Sequence, residues 1–169
     1  MNNQDYENLI KKIPDFPKPG VVFKDIAPLL KHKLPEIIED MGKSIDWNQV
    51  DVIAGIESRG FILGSALALK HNKGFIPVRK KGKLPPPTVQ EEYTLEYGSD
   101  ILEMSKNDEK LKVVIVDDVL ATGGTLKATL NLCAKNNLEV QAITMLINLK
   151  FLNGLDQEYS QLYSVLNYD

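Results

Sequence analysis

The sequence predicts an α/β domain built on a mainly parallel, twisted sheet flanked by helices. Three observations predict it. The run Val113-Val114-Ile115-Val116 is four consecutive β-branched apolar residues, the mark of a strand buried on both faces. A turn of small residues follows, and then a helical pattern places Leu126, Leu130 and Ala134 on one side. An alternation of strand, helix and strand also runs through residues 50–79. A chain of 169 residues is long enough for a real core, and residues 1–169 are expected to form a single domain.

In chain order, residues 5–12 read as a short amphipathic helix, and residues 14–20 as a proline-rich irregular segment leading into Val21-Val22-Phe23-Lys24-Asp25-Ile26. Residues 35–45 read as a helix with Pro35 at an early position. Residues 50–55 form a strand and 60–70 a helix rich in Leu and Ala. Residues 74–79 form a short strand that Pro77 places near an edge or a bulge. Residues 80–92 are too long for a tight turn and too polar for the core. They are either a solvated surface loop or a lid over a reactive substrate. Period-two alternation over residues 93–98 puts Tyr93, Leu95 and Tyr97 on one face, with Thr94 and Glu96 on the other. On strand evidence alone Glu96 is the solvent side of an edge strand. A strand over 112–117, a helix over 123–136, a strand over 140–149 and a last strand over 161–167 complete the chain.

Bulk properties exclude several classes. A net charge of −3 gives no reason to expect binding to nucleic acid or to a membrane surface. No apolar run reaches the length of a membrane span, and the amino terminus lacks a signal-peptide pattern. The single cysteine, Cys133, has no internal partner and reads as a small buried apolar residue, so a cytoplasmic location is expected. The two histidines, His32 and His71, lie apart from other ligand-type residues, which argues for surface roles and against histidine-based metal or triad chemistry. Among 20 basic residues only Arg59 and Arg79 are arginines, and both fall where strands give way to loops. A guanidinium offers phosphate oxygens a rigid fork that an ammonium does not.

The chemistry concentrates in Asp117-Asp118-Val119-Leu120-Ala121-Thr122-Gly123-Gly124-Thr125. The glycines let backbone N–H groups converge, and the helix start adds unsatisfied donors and a positive dipole. Thr122 and Thr125 contribute hydroxyls. The two carboxylates only accept hydrogen bonds, which suits adjacent hydroxyls, so the unit fits a ribose 5-phosphate. This segment has neither the Gly-Lys-Ser/Thr of a Walker loop nor a G-x-G-x-x-G fingerprint. The spacing of Gly55 and Gly60 resembles a Walker loop but leads into Phe61.

This segment resembles the phosphoribosyl pyrophosphate (PRPP) motif of type I phosphoribosyltransferases. Taken with residues 14–26, 57–61, 78–85 and 93–98, the chain from Pro14 onward is similar to the adenine-specific branch of that family. The resemblance implies the type I phosphoribosyltransferase fold, with a flexible catalytic loop and a small base-binding hood. It implies a purine salvage reaction of adenine with PRPP that gives AMP and pyrophosphate, with Mg2+ as cofactor held mainly by PRPP and water, and no firm protein ligand for the metal. Ala121, Thr122, Gly123, Gly124 and Thr125 would wrap the 5-phosphate, with Asp117 and Asp118 on the ribose. Glu57, Ser58, Arg59 and Gly60 would meet the pyrophosphate, joined by Arg79, Lys80 and Lys83. Family homodimers supply the Arg79 position from the neighbouring subunit. Phe23, main-chain groups of Val22 and Lys24, and Leu149 would contact adenine. Many relatives carry arginine at the Lys24 position. Glu96 becomes the candidate acid/base, with Tyr97 beside it in the loop, and Arg59 assists catalysis as the cation facing the leaving group. Two rivals remain at this level. A 6-oxopurine transferase would carry a lysine and an aromatic residue near the chain end, and a non-catalytic PRPP-binding regulator would carry a nucleic-acid-binding surface.

Overall fold

The computed structural model describes residues 3–16, 18–95 and 98–169, with main chain only at Leu95. Glu96 and Tyr97 lie outside the described residues. The chain divides into two compact units, Met1–Asp40 and Met41–Asp169.

In the first unit, α1 (Asn3–Glu7) is followed by β1 (Lys11–Pro14) and β2 (Val22–Asp25), an antiparallel pair that sets Lys11 opposite Asp25 and Ile13 opposite Phe23. The helix expected over residues 5–12 therefore ends early. All four residues of β1 are exposed, so their strand state rests on pairing with β2, which local periodicity does not report. Tyr6 is buried and donates its hydroxyl to Asp40 at 2.6 Å. The next helix, α2 (Ala27–Gly42), begins well before residue 35 and ends before 45. Asp25 Oδ1 accepts from the Ala27 N–H at 2.9 Å and starts it. At Lys33 the backbone leaves helical geometry (φ −137°, ψ 18°), two residues before Pro35. Pro35 thus opens a second helical segment, the place that tolerates its missing N–H.

The second unit is a seven-stranded sheet. Its strands are β3 (Val52–Ile56), β4 (Gly74–Lys80), β5 (Thr88–Leu95), β6 (Gly98–Ser105), β7 (Leu111–Leu120), β8 (Leu138–Leu149) and β9 (Leu162–Tyr168), in the order β5-β6-β4-β3-β7-β8-β9. The five strands from β4 to β9 pair in parallel, and β5 and β6 add an antiparallel hairpin at one edge. Pro77 sits on an interior strand, yet pairing with β6 begins only at Arg79, so one flank of β4 is free of the ladder at the proline. Strand β5 starts at Thr88, and the residues expected to form one long loop over 80–92 shrink to a turn over 81–87.

Among the described residues this unit also holds the α-helices α3 (Arg59–His71), α4 (Gly124–Lys135) and the short α5 (Leu155–Glu158). Alternate strand residues Ala54, Ile56, Val113 and Ile115 share a buried cluster with Leu126, Leu132 and Cys133 of α4. The buried face of α4 runs through Leu126, Thr129, Leu132 and Cys133, which rotates the expected stripe and leaves Ala134 exposed. Cys133 is fully buried, and burial pushes its thiol up to about 12. His32 is exposed as expected. His71 is not a plain surface residue: its ring stacks on Trp47 at 3.7 Å, and burial first, then the Lys70 and Lys73 charges, lowers its pKa.

Candidate active site

The chain reverses its direction of travel across the sheet between β3 and β7, which are adjacent and parallel. Ligands of open α/β sheets gather outside the carboxyl ends of strands at such a switch point. The carboxyl end of β3 leads to Glu57 and Arg59, and that of β7 carries Asp117 and Asp118. Strand β7 extends to Leu120, three residues past the expected end at 117, so Asp118 as well as Asp117 lies within it.

A cavity of about 70 Å3 lies at this end, lined by Asp117, residues 119–126 and Met145. Gly123 adopts φ +85° and precedes α4. No side chain caps the helix, so its first N–H groups are left for a ligand. A Cβ on Gly123 would come within 2.2 Å of Leu155 Cδ1, so positive φ and close packing both demand glycine here. The turn is also tied from behind. Asn153 Nδ2 donates to the Ala121 carbonyl at 2.7 Å and to the Leu149 carbonyl at 3.0 Å, while Asn153 Oδ1 accepts from the Leu155 N–H at 3.1 Å.

Helix α3 begins against β7. A Cβ on Gly60 would lie 2.9 Å from both Asp117 Oδ1 and the Val116 carbonyl, so only glycine lets the helix start this close. Its first residue, Arg59, brings NH2 to 2.6 Å from Asp118 Oδ2, an ion-pair distance reached off the hydrogen-bonding line. Asp117 Oδ1 accepts from the Asp118 N–H at 2.9 Å. Burial, followed by the neighbouring Asp118 charge, raises the Asp117 pKa well above the carboxylate range.

Glu57 gathers a second cluster. Its Oε2 accepts from Arg79 Nε at 3.2 Å and from the Lys80 N–H at 3.0 Å. Burial works to raise its pKa, but these two donors and the charges of Arg79 and Lys83 together hold it below the usual value. Arg79 NH1 also donates to the Lys83 carbonyl at 3.3 Å. Ser58 stands exposed at the start of α3, and Lys80 and Lys83 are exposed as well. The Lys80 ammonium meets Asp100 Oδ2 at 3.1 Å, and the hydrogen bond and charge of Asp100 raise its pKa.

The structure thus brings residues 57–60, 79–83 and 117–125 into two linked clusters within one unit. Val22, Phe23 and Lys24 lie on β2 of the other unit. There Phe23 packs edge-on to Phe16 at 5.2 Å, and burial, then the Lys12 charge, lowers the Lys24 pKa. Leu149 ends β8. Residue reasoning missed Asn153, Tyr93, Asp100 and Glu103. Gly124 packs under Tyr93, which bonds toward Asp100 at 3.5 Å. An asparagine before a glycine reads only as a turn, Tyr93 reads only as one of an alternating strand face, and Asp100 and Glu103 fall between the expected strands over 93–98 and 112–117, where the sequence assigns no element.

Paired carboxylates at the end of a parallel strand, with a glycine turn enclosing a small cavity before a helix, are the arrangement expected of a phosphoribosyltransferase. The family described as phosphoribosyl transferase domain matches residues 24–157. The adenine phosphoribosyltransferase of Bdellovibrio bacteriovorus is 46% identical over 166 residues, covering 97% of this chain and 99% of that protein. That of Hydrogenovibrio crunogenus is 44% identical, covering 100% and 99%. The crystal structure of adenine phosphoribosyltransferase from Thermoanaerobacter pseudethanolicus superposes with a TM-score of 0.92 at 42% identity, covering 99% and 100%. The chain belongs to the adenine phosphoribosyltransferase family, within the type I phosphoribosyltransferases.

Proposed function

We propose that the chain is a purine salvage enzyme that transfers the 5-phosphoribosyl group of PRPP to adenine, forming AMP and releasing pyrophosphate. The observation that carries the site assignment is the cavity enclosed by Asp117 and residues 119–126 beside the Arg59–Asp118 pair. The uncapped N–H groups of α4, with Thr122 and Thr125, hold the 5-phosphate, and Asp117 and Asp118 accept from the ribose hydroxyls. Arg59, Arg79, Lys80 and Lys83, with the turn of Glu57, Ser58 and Gly60, bind the pyrophosphate.

The new bond joins adenine N9 to the anomeric carbon, the bond from that carbon to the pyrophosphate oxygen breaks, and N9 gives up its proton. Negative charge grows on the departing pyrophosphate, and Arg59 and Arg79 stabilise it. Glu96 is assigned the proton transfer, with Tyr97 beside it. Val22, Phe23, Lys24 and Leu149 are assigned to adenine. Among the described residues no cluster of three or more metal-ligating side chains exists. The donor set, two acceptor-only carboxylates beside the cavity, fits a Mg2+ held mainly by PRPP oxygens and water. When bound, Mg2+ neutralises diphosphate charge. The whole chain acts as one catalytic domain, in a cytoplasmic homodimer.

The test offers purine bases separately to the protein with PRPP and Mg2+. AMP and pyrophosphate form from adenine, with at most weak transfer to hypoxanthine or guanine. Comparable activity on hypoxanthine would overturn the assignment.

A further inference from the structure

Glu103, in the carboxyl-terminal half of β6, is 1% exposed, although a carboxylate at such a depth loses its hydration. Its partners explain how it is tolerated. Oε1 accepts from the Lys83 N–H at 2.9 Å and from the Leu84 N–H at 2.9 Å, and Oε2 accepts from Gln90 Nε2 at 3.2 Å. In the sheet register Glu103 lies opposite Arg79 of β4 on one side and Gln90 of β5 on the other. Burial pushes its carboxyl up, but the Leu84, Lys83, Gln90 and Gly82 donors together bring it below the ordinary range, so it stays ionised at neutral pH.

An acceptor-only group suits a position where donors converge. The turn it holds is otherwise mostly exposed, with Lys81, Gly82, Lys83 and residues 85–87 facing water. A solvated turn needs no buried anion merely to exist. What the anion fixes is the position of the Lys83 main chain, and the carbonyl of that residue accepts from Arg79 NH1 at 3.3 Å. A continuous path therefore runs from Glu103 through the Lys83 backbone to the Arg79 guanidinium and on to Glu57.

We infer that Glu103 is a positioning residue for diphosphate recognition: it anchors the Lys83 and Leu84 main chain and thereby sets where Arg79 and Lys83 meet the pyrophosphate. This rests on the pyrophosphate role proposed for those two residues.

The experiment compares Glu103→Ala and Glu103→Gln with the parent. It measures KM for PRPP and for adenine, and affinity for inorganic pyrophosphate and for ribose 5-phosphate. Glu103→Ala weakens PRPP and pyrophosphate by about tenfold, with adenine and ribose 5-phosphate within about twofold. Glu103→Gln recovers most of the loss, because its amide oxygen still accepts both main-chain N–H groups and Gln90 can turn its own amide to match. A PRPP KM within about twofold of the parent in Glu103→Ala overturns the inference. So does an equal loss for all four ligands, or a Glu103→Gln no better than the alanine. Arg79→Ala separates the two layers. If it weakens pyrophosphate while Glu103→Ala does not, the inference alone falls. If it leaves pyrophosphate unchanged, the diphosphate assignment falls and takes the inference with it. Should Glu103→Ala not fold, amide exchange in the parent decides: the Lys83 and Leu84 N–H groups exchange at least about tenfold slower than an open chain, and open-chain rates refute the anchor.

Discussion

Asp117 and Glu57 are both carboxylates within the proposed site, and their surroundings move them in opposite directions. Asp117 is raised by burial and by Asp118, so the folded protein binds its proton more tightly than the unfolded chain does. That contribution is complete below the unfolded carboxylate range and is lost as pH rises through the folded value. Asp117→Asn should therefore melt higher than the parent at neutral pH, with the gap closing as the pH is lowered toward about 4. Glu57 is held low despite its burial, because Lys80, Arg79 and Lys83 favour the anion. Its contribution is present above the unfolded value and is lost as pH falls through the folded one. Glu57→Gln should melt lower at neutral pH, by a few degrees, and converge with the parent in acid. Melting curves across this range check both, and parallel trends in the two variants would refute the assigned environments. At Glu96, replacement by Gln should slow single-turnover AMP formation on the order of a hundredfold with little change in substrate binding, since the amide cannot exchange a proton. A rate within about twofold of the parent would return Glu96 to a surface role.

The turn before α4 is an element held from two sides, by the packing of Leu155 on Gly123 and by the amide of Asn153. Asn153→Ala leaves the Ala121 and Leu149 carbonyls without that donor. It should cost about 1–3 kcal/mol in denaturant unfolding and weaken AMP binding, and an unchanged midpoint would contradict the clamp. The strand–turn–helix unit was legible because each part carries a local signal: β-branched residues, glycines and an apolar helical face. The edge hairpin was legible only in part. Alternation marked Tyr93 and Thr94 as strand, but Thr88 to Glu92 looked like a polar loop. Their strand state rests on pairing with β6, and Glu91 bonds to Asn131 and forms an ion pair with Lys135 of α4. The same holds for β1, whose residues bury nothing on their own. Glu103 was invisible for a related reason: a buried charge is recognised by partners distant in sequence, not by its neighbours. The roles of Glu57, Arg79 and Lys83 came from family resemblance, and composition contributed only the scarcity of arginine.

At the scale of the whole molecule, the charge of −3 offers no general attraction for polyanions, and among the described residues no helix is long and apolar enough to cross a membrane. The proposed homodimer makes a definite prediction, because Arg79 would act across the subunit boundary. Mixing inactive Arg79→Ala with inactive Asp117→Asn should restore part of the activity, since one hybrid site carries both intact residues. No recovery in proven hybrids would place Arg79 in its own subunit, where it already meets Glu57. The central claim is that the carboxyl ends of β3 and β7 form the PRPP site. Titration calorimetry of PRPP with Mg2+ into the parent and into the Asp117→Asn, Asp118→Asn double variant tests it most directly. The double variant keeps hydrogen-bond acceptors but loses charge, and its PRPP affinity should fall at least about tenfold. An affinity equal to the parent's would contradict the placement of the site.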